Sequence, residues 1–161
     1  MRIKHIFILA VLLLAAGCRE KKAERFTSLP FPDVQLPSMI SGQQEALEFM
    51  AVNYWNGITD PSRSYPSDSL LVSGVRRGDV EQKFADWTSI MEYAGNGIWS
   101  KAVGNLYDRA LACERKDTAS QVFETFVDLF QKYYYDPNSP MRNEDVYYHF
   151  VSRYASYEGL T

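Results

Sequence analysis

Apolar side chains recur at three- and four-residue intervals along most of the chain after residue 42. This spacing matches the turn of an α-helix, whereas a half-buried strand would place apolar side chains at every second position. Segments rich in glycine, proline and serine divide the periodic stretches into five, and no run with strand spacing competes with them. The pattern predicts an all-α fold, a bundle of about five helices.

Each predicted helix is recognised by apolar residues that share one face. These are Leu47, Met50 or Ala51, Tyr54 and Ile58 in the first helix; Val80, Phe84, Trp87 and Met91 in the second; Ala102, Leu106, Ala110 and Cys113 in the third; Val122, Phe126, Leu129 and Tyr133 in the fourth; and Val146, Phe150 and Tyr154 in the fifth. The fourth face is the widest, because Phe123, Val127 and Phe130 extend it, and such a face belongs near the centre of a bundle.

Capping and helix-breaking residues predict where the helices begin and end. Asp79 with Gln82, and Thr118 with Gln121, have the spacing of a capping box at the starts of the second and fourth helices. The expected stops are Gly57 with the Asp60-Pro61 step, the glycines within residues 95–97, the cations Arg115 and Lys116, and the prolines within residues 136–140. Residues 56–78 show no sustained period and predict a long loop between the first two helices.

The N-terminal segment has a different pattern. Arg2 and Lys4 precede an apolar run over residues 6–16, and the small residues 15–17 lead into Cys18. The run is shorter than a typical transmembrane helix and has the organisation of a secretory signal. A cysteine directly after the small residues is typical of a lipoprotein signal, in which cleavage before Cys18 leaves a lipidated N-terminus. The alternative is an ordinary signal peptide with a cysteine near its cleavage site.

Three segments follow from this pattern: a lipoprotein signal peptide over residues 1–17, a lipidated cysteine with a proline-rich tether over residues 18–40, and a helical domain over residues 41–161. Proline at the density of the second segment disfavours both helix and sheet. We expect the first half of the tether to stay free and the second half to dock on the domain through its apolar residues, which are Phe31, Val34, Leu36 and Met39.

Charge narrows the range of partners. Removal of residues 1–17 takes away Arg2 and Lys4 and no acidic residue, so 15 basic side chains face 20 acidic ones and the net charge becomes −5. Such a surface repels phosphate backbones, and we therefore expect no nucleic acid partner.

Residues suited to catalysis are few. Once the signal is removed, His149 is the only histidine, and Cys113 has no second cysteine for a disulfide or a redox pair. The sequence has no glycine-rich phosphate loop, no Gly-x-Ser-x-Gly turn and no His-Glu-x-x-His motif. We expect no catalytic residue, metal ion or cofactor, and we favour a non-enzymatic protein. Cys113 is interpreted as a buried structural thiol, and a reactive thiol is the alternative.

Two segments carry candidate recognition residues. In the loop before the second helix these are Arg63, Tyr65, Arg76 and Arg77, and after the fourth helix they are Tyr134, Tyr135, Asp136, Arg142 and Asp145. Successive helical residues lie about 100° apart, so at least one of the three tyrosines at 133–135 should be exposed. The structural alternative is that the second segment only forms a corner, in which Asp136 bonds local amides, Asn143 caps the fifth helix and Arg142 pairs with Glu144 or Asp145.

Four stretches of the chain resemble a known family. They are LPFPDVQLPSMI at residues 29–40, Tyr54-Trp55-Asn56, VEQKF at residues 80–84 and, above all, YYYDPNSPMRNEDVYY at residues 133–148. Together they resemble domain of unknown function 5106 over about residues 29–157. In that family a helical domain commonly follows a lipoprotein signal and often precedes a thioredoxin-like domain. The resemblance implies a helical fold and a location in a Gram-negative envelope, and it supplies no catalytic residues. No thioredoxin-like second domain is expected here, since the last residue is Thr161.

Three functional hypotheses are compatible with these residues. The first is a non-enzymatic, lipid-anchored helical interaction module that binds another envelope protein. The second is a redox-linked accessory protein that uses Cys113 or supports a separate thioredoxin-like partner. The third, weaker hypothesis is a glycan-binding or hydrolytic protein that uses the tyrosine-rich end. Residues 19–25 lack an acidic run, which favours an outer-membrane lipoprotein that faces the periplasm and leaves exposure at the cell surface open.

We expect Cys18→Ala to abolish incorporation of labelled palmitate and to release the protein from membranes. The reason is that acyl chains hold a protein on a bilayer with about 0.8 kcal/mol per buried methylene. Metabolic labelling followed by membrane fractionation measures both effects, and Cys113→Ala should keep the label. Unchanged membrane retention of the Cys18→Ala variant would contradict the prediction.

Overall fold

The computed structural model describes residues 27–157, and the predicted signal peptide and Cys18 lie outside this range. In chain order, the elements are α1 (Gln43–Asn53), β1 (Leu71–Val72), β2 (Val75–Arg76), α2 (Arg77–Ala94), α3 (Asn96–Lys116), a 3-10 turn (Thr118–Ser120), α4 (Val122–Phe130), a π-helical turn (Gln131–Tyr135) and α5 (Glu144–Tyr157). Over the described residues, five α-helices with one small hairpin confirm the predicted all-α bundle.

The predicted apolar faces are the faces that the bundle buries. This holds for every residue named on the second and third faces: Val80, Phe84, Trp87, Met91, Ala102, Leu106, Ala110 and Cys113. α3 packs against α1, α2, α4 and α5 and therefore forms the centre of the bundle. Small and large side chains occur together on the surface of α3, and this allows four neighbouring helices to pack against it.

Two tryptophans lie at the centre of the core. Trp55 and Trp87 are 2% and 0% exposed, and their ring centroids are 6.0 Å apart. Trp55 also meets Phe126 of α4 edge to face at 4.7 Å, an arrangement that aromatic rings prefer. The indole nitrogen of Trp87 donates a hydrogen bond to the carbonyl oxygen of Ala51 at 2.8 Å. This aromatic cluster joins α1, α2 and α4.

α1 ends at Asn53, earlier than the stop predicted at Gly57 and the Asp60-Pro61 step. The Asn53 side chain donates to the carbonyl of Phe49 at 2.9 Å, and the Asn56 side chain donates to Asn53 Oδ1 at 2.8 Å. Asparagine side chains that bond nearby polar groups compete with the helical ladder, which accounts for the early end. Tyr54 and Ile58 nevertheless lie in the core, as the apolar spacing predicted.

Residues 71–76 form a hairpin where only a loop was expected, so the expectation of no strands is wrong at this point. Leu71 pairs with Arg76 and Val72 with Val75 in antiparallel register. Ser73 and Gly74 form the turn with φ values of 48° and 82°, and tight hairpins favour two such positive angles. Strands of two residues are too short to show alternation, so the sequence pattern could not reveal them.

α2 begins at Arg77, and the capping box expected at Asp79 and Gln82 is absent. The N-cap residue Arg76 makes no capping bond through its side chain. Instead, the backbone N–H of Arg77 donates to the carbonyl oxygen of Leu70 at 3.3 Å. The hairpin leads directly into the helix and satisfies one of the amides that a cap would otherwise bond.

α4 also begins later than predicted. Asp117 caps a separate 3-10 turn by accepting from the N–H of Ala119 at 3.0 Å, and α4 starts only at Val122. Gln121 separates the two with a left-handed φ of 55°, so Thr118 and Gln121 form no capping box. A left-handed residue interrupts the helical backbone, which divides the predicted fourth helix in two.

The segment before α1 docks only in part. Phe31 and Val34 pack on the core, and the Phe31 ring meets Trp55 edge to face at 5.5 Å. Leu36 and Met39 are 47% and 85% exposed, so the expectation that they dock is wrong. The backbone N–H of Leu29 donates to Gly74 in the hairpin turn at 2.8 Å, which ties the start of this segment to the hairpin.

We expect Gly74→Ala to lower the free energy of unfolding by about 1 to 3 kcal/mol, because a left-handed backbone strains a residue with a side chain. An added Cβ would also lie 2.6 Å from the Cβ of Tyr65. Gly78→Ala is the matched control, because a Cβ there meets nothing within 4 Å at the start of α2. It should stabilise the protein by about 0.4 to 1 kcal/mol. Urea unfolding followed by tryptophan fluorescence measures the free energy of unfolding of both variants. Equal effects of the two substitutions would contradict the left-handed conformation of Gly74.

Candidate functional site

The segment between the π-helical turn and α5 forms a braced corner. Asp136 Oδ1 accepts from the backbone N–H of Asn138 at 2.8 Å, and the hydroxyl of Ser139 donates to the carbonyl of Tyr133. Asn143 caps α5, since its Oδ1 accepts from the N–H of Val146 at 3.2 Å. These bonds confirm the structural roles predicted for Asp136 and Asn143. They also hold the backbone of the corner in one conformation.

The π-helical turn separates the environments of three consecutive tyrosines. The backbone N–H of Asp136 reaches back five residues to Gln131 at 3.0 Å, which widens the last turn after α4. Tyr134 is 4% exposed and Tyr135 is 52% exposed, while Tyr133 is half-buried. The prediction that at least one of them is exposed is confirmed.

A cleft of about 400 Å³ lies between α2, the first turn of α3 and this corner, and we name it the corner cleft. Its apolar wall consists of Met91, Trp99, Tyr134, Met141 and Val146. Its polar rim consists of Thr88, Ser89, Glu92, Arg142 and Asn143. Its lining is about equally polar and apolar, and a concave site of this size has the dimensions of a ligand site.

Two predicted recognition residues, Tyr134 and Arg142, line the corner cleft. The pKa of Tyr134 is raised by burial, and no hydrogen bond among residues 27–157 involves its hydroxyl. Arg142 pairs with the Glu144 carboxylate, as predicted. The oxygen of Tyr134 is not among the fully buried side-chain atoms that lack a partner, so solvent reaches it and its bonding capacity is not used within residues 27–157.

The other predicted residues of the corner lie outside the cleft. Tyr135 stacks on Tyr147 of α5 with ring centroids 4.8 Å apart. Asp136 bonds within its own turn, and Asp145 is exposed in the first turn of α5. The corner segment therefore contributes to two surfaces, the cleft and an aromatic face on α5.

Three of the four candidates near the hairpin, Arg63, Arg76 and Arg77, brace it from several directions. Arg63 Nε donates to the carbonyl of Ser73 at 3.1 Å, and Arg76 Nε donates to Ser28 Oγ at 3.2 Å. Arg77 donates to the Thr125 hydroxyl at 3.2 Å and to the Gln121 side chain. These bonds hold the hairpin against the N-terminal segment and α4, which is a structural use of residues predicted for recognition.

The hairpin group and the corner cleft are separate. Arg77 begins α2, and Thr88 lies eleven residues further along the same helix, about 16 Å along its axis. The structure does not bring the two predicted groups into one site. Sequence reasoning missed Thr88, Glu92 and Trp99, because α2 and α3 meet the corner only through tertiary packing and no local pattern marks these residues.

A smaller pocket of about 190 Å³ lies beside the hairpin and reaches Cys113. Cys113 is 3% exposed, and burial raises the pKa of its thiol. Tyr65, whose hydroxyl donates to Asp117 Oδ2 at 2.8 Å, covers this pocket with its pKa raised by burial and by that carboxylate. The prediction that Cys113 is buried is confirmed.

Metal-binding side-chain clusters and membrane-spanning helices are both absent from the described residues. Between residues 27 and 157, no group of three or more histidine, cysteine, aspartate or glutamate side chains could hold a metal ion. In the same range, no helix has the length and apolar character needed to cross a membrane.

The described residues form a small helical domain in which the corner cleft and the smaller pocket beside the hairpin are separate. The chain belongs to the family described as a domain of unknown function, DUF5106, whose match spans residues 16–161. It is similar to a thioredoxin-like protein from Bacteroides caccae ATCC 43185, known from a crystal structure, with 26% identity and a TM-score of 0.61. The match covers 84% of this chain and 44% of that chain, so this chain spans less than half the length of that relative. A comparison with curated protein sequences finds no match.

We expect Cys113 to react with iodoacetamide at least about tenfold more slowly in the folded protein than in urea, because only an exposed thiolate is a nucleophile. The raised pKa also means that the reaction accelerates only above the ordinary thiol pKa of about 8.5. Mass spectrometry of the Cys18→Ala protein follows the reaction. Ala112→Cys in a Cys113→Ala background is the control, since Ala112 is exposed on the same helix and a thiol there should react rapidly. Equal rates at the two positions would show that Cys113 is accessible.

Proposed function

We propose that this protein is a non-enzymatic helical module, anchored by lipid in the bacterial cell envelope, that binds another envelope protein. The observation that carries this proposal is the corner cleft. Part of its lining comes from the π-helical turn and the segment between this turn and α5, which supply the predicted recognition residues Tyr134 and Arg142. The lining includes both apolar and charged side chains. Such a lining suits recognition of a partner.

The bracing of the corner supports a binding role. Asp136, Ser139 and Asn143 each hold the backbone of the segment through hydrogen bonds. A wall that is ordered before binding loses little conformational entropy when a partner arrives. The cleft therefore has the preorganisation that a binding surface needs.

The similar Bacteroides caccae protein also supports a modular role. More than half of that chain lies outside the match, and its description is thioredoxin-like. The shared helical unit thus occurs there within a longer chain. A unit that is used beside other parts of a protein suits interaction better than independent chemistry.

The proposal includes attachment through Cys18 to the outer membrane, with the helical domain facing the periplasm. The family match begins at residue 16, two residues before Cys18, so the segment around this cysteine belongs to the shared pattern. The mixed charges of residues 19–25 favour the periplasmic face.

A photoreactive amino acid at Ser89 in intact cells, with the anchor preserved, should repeatedly capture one envelope protein. Ser89 is an exposed residue of the cleft rim, so a partner in the cleft lies within reach of it. Ala112 is the control position, because it is exposed on α3 and lies thirteen residues, about 20 Å, beyond Trp99 along the helix. Mass spectrometry identifies the captured protein. Identical products from both positions, or no recurrent product from Ser89, would refute the proposal.

A redox-linked accessory role is the second candidate, favoured by the description of the similar protein as thioredoxin-like. In this version the partner is a separate thioredoxin-like protein. Burial of Cys113 and the raised pKa of its thiol argue for support of such a partner and against direct thiol chemistry by Cys113. Capture of a thioredoxin-like protein from Ser89 would favour this version.

A further inference from the structure

The donor groups of the corner cleft are largely occupied within the protein. Trp99 Nε1 donates to the carbonyl of Met91 at 3.1 Å, and the Thr88 hydroxyl donates to the carbonyl of Ala85 at 2.7 Å. Arg142, the cation of the rim, is paired with Glu144. The cleft thus offers little free positive charge to a ligand.

The acceptor groups of the cleft are less occupied. Glu92 lies on the rim, and no ion pair or hydrogen bond among residues 27–157 involves its carboxylate. The hydroxyl of Tyr134, a residue that is 4% exposed and lines the same cleft, likewise has no partner in that range and is reached by solvent. Since the donor proton of Thr88 is used, its oxygen is left as an acceptor.

We propose that the corner cleft receives a lysine or arginine side chain from a basic segment of the partner protein. Its alkyl stem packs along Met91 and Trp99, and its cationic head lies between the Glu92 carboxylate and the Tyr134 hydroxyl. This inference names the chemistry of the partner and rests on the proposed function for the existence of that partner.

Charge and ring chemistry both favour a cation. Arg142 is paired with Glu144, which does not line the cleft, so Glu92 is the unpaired charge of the rim among the described residues, and residues 18–161 carry a net charge of −5. Aromatic rings attract cations through their quadrupoles, an effect that grows as water is excluded, and Trp99 and Tyr134 both line the cleft. A long basic side chain also matches an apolar wall with a charged rim, because its stem is apolar and its end is charged.

The test uses the full lipidated chain in detergent micelles and two blocked peptides. One is acetyl-Gly-Leu-Lys-Leu-Gly-amide, and the other carries norleucine in place of lysine, which keeps the stem and removes the charge. The indole N–H signal of Trp99 reports binding by NMR, while those of the core residues Trp55 and Trp87 serve as internal references. The lysine peptide should shift the Trp99 signal and bind about threefold or more tightly than the norleucine peptide.

Variants distinguish binding of the peptide in the cleft from nonspecific attraction to the acidic surface of the protein. Glu92→Gln should weaken the lysine peptide about threefold and remove its advantage over norleucine, whereas Glu124→Gln, at an exposed position on α4, should change neither. Tyr134→Phe should weaken the lysine peptide without lowering the stability of the free protein, because the hydroxyl that it removes has no partner in the described fold.

Equal affinity for the two peptides, equal effects of Glu92→Gln and Glu124→Gln, or an unchanged Trp99 signal would overturn the basic-ligand inference. If Ser89 still captured one partner protein, the interaction module would stand and only its ligand chemistry would be wrong. If the lysine peptide bound as expected but Ser89 captured nothing, the proposed envelope partnership would fail while the cation site remained.

Discussion

The buried hydrogen bond between Trp87 and Ala51 fixes the helix on which both polar regions of the protein depend. Trp87 has no exposed surface, so its indole N–H would be left without a partner if α1 moved away. The indole ring of Trp55 packs beside it, and its nitrogen has no acceptor among residues 27–157, while the Trp55 carbonyl accepts from the Thr59 hydroxyl at 2.7 Å. The two tryptophans together set the position and rotation of α2 relative to α1 and α4.

That fixed rotation has consequences at both ends of α2. Arg77 at its start reaches Thr125 and holds the hairpin side of the bundle. Thr88 and Glu92, which follow Trp87 around the helix, face the corner and form one side of the cleft. Arg77 at the N-terminal end of α2 therefore braces the hairpin side of the bundle, and the C-terminal half of the same helix forms one wall of the corner cleft. A change in the packing of Trp87 would alter the cleft without touching any residue that lines it.

Sequence alone reveals those parts of the structure that repeat. The face from Val80 to Met91 was predictable because every turn of a buried helix must present an apolar residue to the core. The start of α2 was not, because Leu70 bonds the first amide across the hairpin and makes the capping chemistry of Asp79 unnecessary. The residues of the cleft likewise differ in how far they could be predicted. Tyr134 lies in a tyrosine-rich segment that the sequence marks, whereas Trp99 becomes part of the cleft only through the packing of α3 beside the corner.

The π-helical turn explains why Tyr134 lies where it does. One extra residue in the turn rotates Tyr134 into the core, where its ring packs against Phe84 and Phe130, and leaves Tyr135 in solvent. A phenylalanine at this position would make the same ring contacts. The Tyr134 hydroxyl has no partner among the described residues, yet it is not one of their fully buried polar atoms without a partner, so solvent reaches it. Packing therefore accounts for the ring of Tyr134, while its oxygen stays free to bond water or a group that enters the cleft.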